Sequence, residues 1–134
     1  MLFRSGWLAR PAFRHRVTLA IERNRRDGLR FAVHRVTLDA APERIEGLCR
    51  VLPQKLRDTD CVCRPSPDSM LLLIAGSPST AANVWKRIGA LWEESWQAHG
   101  GEPPAPPLEV ETVDLPTPND AADFMSTASE WLSD

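Results

Sequence analysis

The sequence predicts an α+β fold on three observations. Segments of helical and of strand periodicity alternate along the chain, the strand-like segments are short, and two of them are joined by a proline-containing turn. The order is one helix, then β-α-β-β-α-β, then a last helix. The middle of that order is the ferredoxin-like arrangement, a four-stranded antiparallel sheet with two helices on one face.

The first helix is expected over about 11–28. Phe13, Val17, Ala20, Ile21 and Asn24 share one stripe, Pro11 suits its first turn and Asp27-Gly28 ends it. Residues 29–38 (LRFAVHRVTL) are apolar and β-branched and predict a strand closed by Asp39. A second helix is expected over 42–57, with Ile45, Leu48, Cys49, Leu52 and Leu56 on its buried stripe and a kink or early break at Pro53. Strands at 60–64 and 69–75 form a hairpin around a turn at Pro65-Ser66-Pro67-Asp68; the second arm, Met70 to Ile74, is continuously apolar, as a central strand is. The third helix, 80–99, carries Ala81, Val84, Trp85, Ile88, Leu91, Trp92 and Trp96 on one stripe, with Ser77 or Ser79 as its cap and Gly100-Gly101 behind it. Pro103 to Pro107 form an extended connector. Residues 108–115 (LEVETVDL) alternate apolar and acidic residues like an edge strand. A last helix over about 118–132 starts at Thr117-Pro118 and buries Phe124, Met125, Ala128, Trp131 and Leu132. The core is expected over about 29–115, within a single domain spanning 1–134.

Composition narrows the function classes. With 134 residues, 43% hydrophobic and 25% charged, the chain is neither disordered nor fibrous nor a disulfide miniprotein. No apolar run approaches the roughly 20 residues that cross a bilayer, and residues 1–13 hold Arg4 and Arg10 without a continuous apolar stretch, so neither a leader nor membrane insertion is expected. Three cysteines, Cys49, Cys61 and Cys63, are an odd set without metal spacing and predict reduced thiols and a cytoplasmic location. The net charge of −2 conceals a basic half, +7 over residues 1–64, and an acidic half, −9 over 65–134. Such a split marks either an anion-binding half or a solvated basic helix face.

Standard catalytic patterns are absent. The seven glycines form no phosphate loop, His15, His34 and His99 lack metal-ligand spacing, and no serine sits in a nucleophile elbow. Binding of DNA or RNA is not expected. An RNA-reading sheet of this type displays aromatics on its central strands, which here offer only Phe31.

The segment from Leu56 to Met70 is more specific. Arg57-Asp58-Thr59-Asp60 reads R-x-x-D at a helix end, a short strand with Arg64 follows, and Ser66-Pro67-Asp68-Ser69-Met70 makes the hairpin turn. In this register the chain resembles the GGDEF family, the bacterial diguanylate cyclase domains, with a degenerate signature, SPDSM, in place of G-G-D-E-F. The resemblance covers residues 11–132, with its motifs concentrated in 56–75, and it implies a nucleotidyl-cyclase-like version of the sheet.

The departures matter as much as the match. Both signature glycines are missing, Pro67 offers no amide hydrogen, and Ser69 stands at the metal-binding glutamate. Asp39 alone holds Mg²⁺ poorly, and the stretch from Asp39 to Arg57 is too short for the family's substrate-binding runs. The resemblance therefore implies no enzyme, no catalytic residue, no metal and no cofactor. What it retains is the inhibitory-site pattern that binds cyclic di-GMP, with Arg57, Asp60 and Arg64 as the candidate site. Arg57 would fork onto a guanine edge or a phosphate, Asp60 would accept from a guanine N–H, and Arg64, Arg50 or Arg35 would balance the phosphates. As an exposed residue, Arg57 is expected to add little to stability. The same spacing also suits a plain surface ion pair. The leading expectation is thus a non-catalytic cyclic di-GMP receptor or regulatory subunit. The alternatives are a ligand-independent module for contact with a protein partner or a second copy and, behind both, a residual nucleotide enzyme.

Overall fold

The computed structural model describes residues 7–133, so the reading of the first six residues as free of a leader lies outside the described residues. Four strands form one antiparallel sheet: β1 (Phe31–Thr37), β2 (Cys61–Ser66), β3 (Ser69–Ala75) and β4 (Glu109–Leu115). Their spatial order is β2-β3-β1-β4, the ferredoxin-like order. Helices α1 (Arg10–Asp27), α2 (Pro42–Val51), α3 (Pro78–Ala98) and α4 (Ala121–Leu132) complete the chain, with 3₁₀ turns at Leu52–Lys55 and Pro118–Asp120.

Each boundary has a local cause. The α-helical part of α2 stops at Val51 because Pro53 has no amide hydrogen to continue the ladder, and the chain tightens into a 3₁₀ turn instead of running on to 57. Ser77, not Ser79, caps α3, accepting from the Thr80 amide. Gly28 ends α1 with φ 71°, a left-handed conformation that a Cβ would strain. The hairpin turn is shorter than expected: Pro65 and Ser66 remain in β2, and Pro67-Asp68 alone reverse the chain. At the last helix, Pro118 to Asp120 form the 3₁₀ turn and α4 begins at Ala121.

Both faces of the sheet are covered, because the apolar residues of β1 and β3 point alternately up and down. On one face Val36, Met70, Leu72 and Ile74 pack with Leu48 and Leu52 of the α2 region and with Val84, Ile88 and Trp92 of α3. On the other, Val33, Cys61, Cys63, Leu71 and Leu73 pack with Phe13 and Val17 of α1 and Phe124, Ala128 and Trp131 of α4. Each fully buried leucine or isoleucine contributes about 1.5–3 kcal/mol relative to an exposed one. All three cysteines are free and buried, and burial pushes Cys49 up to about 11 and Cys61 up to about 12, far from a reactive thiolate.

Two predictions follow from this packing. Gly47 lies where α2 meets α3, and a Cβ there would collide with the Ser95 hydroxyl, which donates to the Arg44 carbonyl at 2.5 Å. Gly47→Ala is expected to cost about 1–3 kcal/mol, read as a lower urea midpoint with unchanged slope. His34 is buried, and desolvation holds its pKa at about 4, against the opposing pull of Asp114. The unfolded chain, titrating near 6.5, takes up the proton first as pH falls. The stability this group contributes is therefore complete above about 6.5 and is lost towards 4, by about 3 kcal/mol in all. Urea midpoints measured across that window should fall, and His34→Phe should flatten this part of the profile.

Candidate functional site

The hairpin between β2 and β3 is closed on itself. The Ser66 hydroxyl donates to Asp68 Oδ1 at 2.7 Å and lies 2.7 Å from the Ser69 hydroxyl. Arg64 Nη2 donates to the Pro67 carbonyl at 2.8 Å, and the Leu38 amide donates to the Asp68 carbonyl at 2.7 Å. No non-glycine residue among those described has a positive φ, so the turn is not of the primed hairpin type; a register shift between Cys63 and Ser66 takes up the misfit. The turn thus spends its serines and the Pro67 carbonyl on the hairpin and the Asp68 carbonyl on Leu38, and offers no glycine backbone for close approach. Asp39 follows Leu38 beside this turn. Among the described residues no three His, Cys, Asp or Glu side chains gather in a metal-holding group.

Arg57 and Asp60 do meet, but chiefly with each other. Beyond the 3₁₀ turn the chain folds back, with the Asp60 amide donating to the Arg57 carbonyl at 2.9 Å. Arg57 then forks onto the carboxylate, Nε to Oδ2 and Nη2 to Oδ1, both at 2.9 Å. The same Oδ1 accepts from the Ala75 amide at 3.0 Å, while Arg57 Nη2 also donates to the Ala75 carbonyl at 2.5 Å. The pair therefore clips the turn before β2 to the end of β3. The Asp60 side chain is 0% exposed and that of Arg57 37%, so the arginine is not the free surface residue expected from the sequence. Its hydrogen bond to Asp60 holds the Arg57 guanidinium above the ordinary arginine range.

Arg64 is elsewhere. It lies toward the turn end of β2, four residues from Asp60 and hence roughly 13 Å along an extended strand. Arg64 Nη1 pairs with Glu46 at 2.8 Å. Arg57 and Asp60 border a cavity of about 230 Å³ with Arg16, Leu56 and Asp58, whereas Arg64 lines a separate one with Trp7 and Arg10. Of the other arginines proposed to balance phosphates, Arg35 is committed to Glu111 at 2.6 Å and lies over the Trp131 ring, and Arg50 is exposed on α2. The cation that does join Arg57 is Arg16, donating to the Asp58 carbonyl at 3.2 Å. It comes from α1, and only its membership of the basic first half hinted at it.

Comparison with known proteins yields a fold. No protein-family model matches the sequence, and no curated protein sequence matches it. Solved structures do. The GGDEF domain of DgcB from Caulobacter crescentus, in complex with cyclic di-GMP, superposes with a TM-score of 0.67 at 13% identity, covering 94% of this chain and 83% of that one. The diguanylate cyclase SiaD from Pseudomonas aeruginosa, in complex with its activator SiaC, gives 0.65 at 17%, covering 96% of this chain and 54% of that one. A DGC protein from Thermotoga maritima gives 0.61 at 17%, covering 93% and 95%. The chain has the fold of GGDEF domains.

The clip generates a stability prediction. Arg57→Ala would strand a carboxylate with no exposed surface on the Ala75 amide and a long 3.4 Å bond from the Arg57 amide. Removing one partner of a buried pair typically costs about 3–5 kcal/mol; because Arg57 is partly solvated, a loss of about 2–3 kcal/mol is expected here. Chemical denaturation of Arg57→Ala against Arg50→Ala, which should be near neutral, measures it.

Proposed function

We propose that this chain is a non-catalytic regulatory domain built on the GGDEF fold. The observation that carries the reading is the closed turn at Ser66–Ser69. Guanine nucleotide and metal ions would have to be positioned by this turn, and phosphoryl transfer depends on that positioning and on charge stabilisation. Here the turn supplies neither glycine backbone nor a glutamate, and Pro67 has no amide to give.

Two modes of regulation fit this domain. In the first it is a cyclic di-GMP receptor through Arg57, Asp60 and Arg64, in keeping with the retained R-x-x-D pattern and with the complex formed by the DgcB domain. In the second it is a ligand-independent contact module, in keeping with the complex of SiaD with SiaC. The burial of Asp60 favours the second. Its carboxylate has no exposed surface and is satisfied by Arg57 and Ala75, and Arg64 lines another cavity. Guanine recognition by Asp60 would first have to open the clip, at a cost the ligand would repay from its own contacts.

Calorimetric titration with cyclic di-GMP separates the two modes. The contact-module mode predicts no saturable heat at high micromolar ligand and no rise in melting temperature. Saturable binding that Arg57→Lys weakens about tenfold or more would establish the receptor mode instead, since lysine keeps the charge but loses the fork. Incubation with GTP and Mg²⁺ or Mn²⁺ is expected to yield no cyclic di-GMP by mass spectrometry; product above a no-protein control overturns the non-catalytic reading.

A further inference from the structure

The sheet ends at β4, and the outer side of that strand leaves backbone groups unanswered. The Gly76 amide donates to the Arg30 carbonyl and the Leu38 amide to the Asp68 carbonyl, both at 2.7 Å. Even-numbered residues of β1 therefore turn their backbone groups toward β3, and odd-numbered ones toward β4. Those odd positions face Glu109, Glu111, Val113 and Leu115. By the same alternation Val110, Thr112 and Asp114 aim their amides and carbonyls outward, where no strand meets them among the described residues. All three residues are exposed. The strand holds no proline, and its register with β1 runs unbroken from 109 to 115, so nothing in its backbone bars a further strand.

The two faces of β4 ask for different side chains. On the α2/α3 face the helix layer packs on β2, β3 and β1 and leaves Val110 and Thr112 uncovered. Between α3 and β4 lies a cavity of about 400 Å³, bordered by Ala32, Ala81, Ala82 and Trp85. Apolar side chains of an added strand, opposite Val110 and Thr112, would lie along this opening. On the other face stand Glu109 and Glu111. In an added antiparallel ladder they would fall in the close, non-hydrogen-bonded pairs, where charge is felt most. Arg35 gives both of its hydrogen bonds to Glu111 Oε1, and Arg30 reaches Asp114 through Oδ2. Glu111 Oε2, Asp114 Oδ1 and the Glu109 carboxylate take no hydrogen bond from the described residues. A cation arriving from outside would therefore add to the existing pairs without breaking them.

We propose that the outer edge of β4 docks an extended, basic segment of a partner protein. The segment adds as a fifth, antiparallel strand, with apolar side chains over the α3 cavity and lysines or arginines against Glu109 and Glu111. The outward backbone groups of Val110, Thr112 and Asp114 hold the strand, and the carboxylates select its sequence. A second copy of this chain fits less well, because its own β4 is equally acidic and brings no cation to these oxygens. None of the residues bordering the Arg57–Asp60 cavity takes part, so the site stands with either regulatory mode.

The test is a two-dimensional amide NMR titration of the full chain, at low ionic strength, with the peptide acetyl-Ser-Lys-Val-Ile-Lys-Val-Lys-amide. In antiparallel register it sets its isoleucine against Thr112, its second valine against Val110, and its last two lysines against Glu111 and Glu109. Saturable shifts centred on residues 81–85 and 109–115 are expected, with a dissociation constant below about 1 mM. A scrambled peptide of the same composition should bind at least about fivefold more weakly. So should one N-methylated at the isoleucine and the second valine, which cannot donate to the Thr112 and Val110 carbonyls. Glu109→Lys should weaken the peptide at least about threefold, while Glu130→Lys, exposed on α4, should leave it unchanged. Absence of saturable shifts overturns the proposal, as do shifts centred elsewhere or equal binding of the scrambled or N-methylated peptide. Equal loss in both charge variants overturns it too, by showing general attraction. Concentration-dependent shifts of 109–115 in the chain alone overturn it by marking a second copy as the occupant.

Discussion

The β1–β3 ladder carries two cores at once. Val36, Met70, Leu72 and Ile74 project to the α2/α3 side, and Val33, Leu71 and Leu73 to the α1/α4 side. Because strand side chains alternate with period two, a slip of one residue between these strands would exchange the two sets and present each helix layer with the wrong partners. The register Val33↔Leu73 and Val36↔Met70 is therefore enforced from both faces. The hairpin turn, the clip at its open end and the cavity beside β4 are all positioned from this pair of strands.

The split of charge along the sequence has a local use in this arrangement. The basic first half contributes β1 and the acidic second half contributes β4, and the two lie side by side: Arg35 opposite Glu111, Arg30 beside Asp114. Exposed pairs of this kind are each worth less than about 1 kcal/mol. Their effect is on selection, since cross-strand partners of opposite sign favour this pairing and like charges would oppose others. Part of the asymmetry that suggested an anion-binding half is thus absorbed inside the sheet.

The strands and helices were legible in the sequence because their signals are local. Apolar runs and periodic stripes mark the elements, and Pro53 marks the point where α2 changes character. Which face α1 and α4 would take was not legible, since a stripe shows that a helix face is buried without naming what buries it. The fate of Asp60 was hidden for a related reason. R-x-x-D spacing reads the same for a surface pair, a ligand fork or a clip, and the deciding partner, the Ala75 backbone, arrives from across the hairpin. His34 did leave a trace: it falls in phase with Ala32 and Val36 in a buried strand, where an imidazole is unusual.

The order β2-β3-β1-β4 leaves an outer strand at each side of the sheet. On the β2 side the chain shields itself, with Leu8 bridging to Cys63 and its amide bonded to the Val62 carbonyl. On the β4 side the guard is electrostatic. Glu109, Glu111 and Asp114 line a seven-residue strand, charged side chains that a second copy pairing edge to edge would have to accommodate. Glu111 and Asp114 are already answered by Arg35 and Arg30, so a copy pairing along this edge would have to disturb those pairs and accommodate Glu109, which blunts an acidic strand of no evident chemistry as a template for sheet growth.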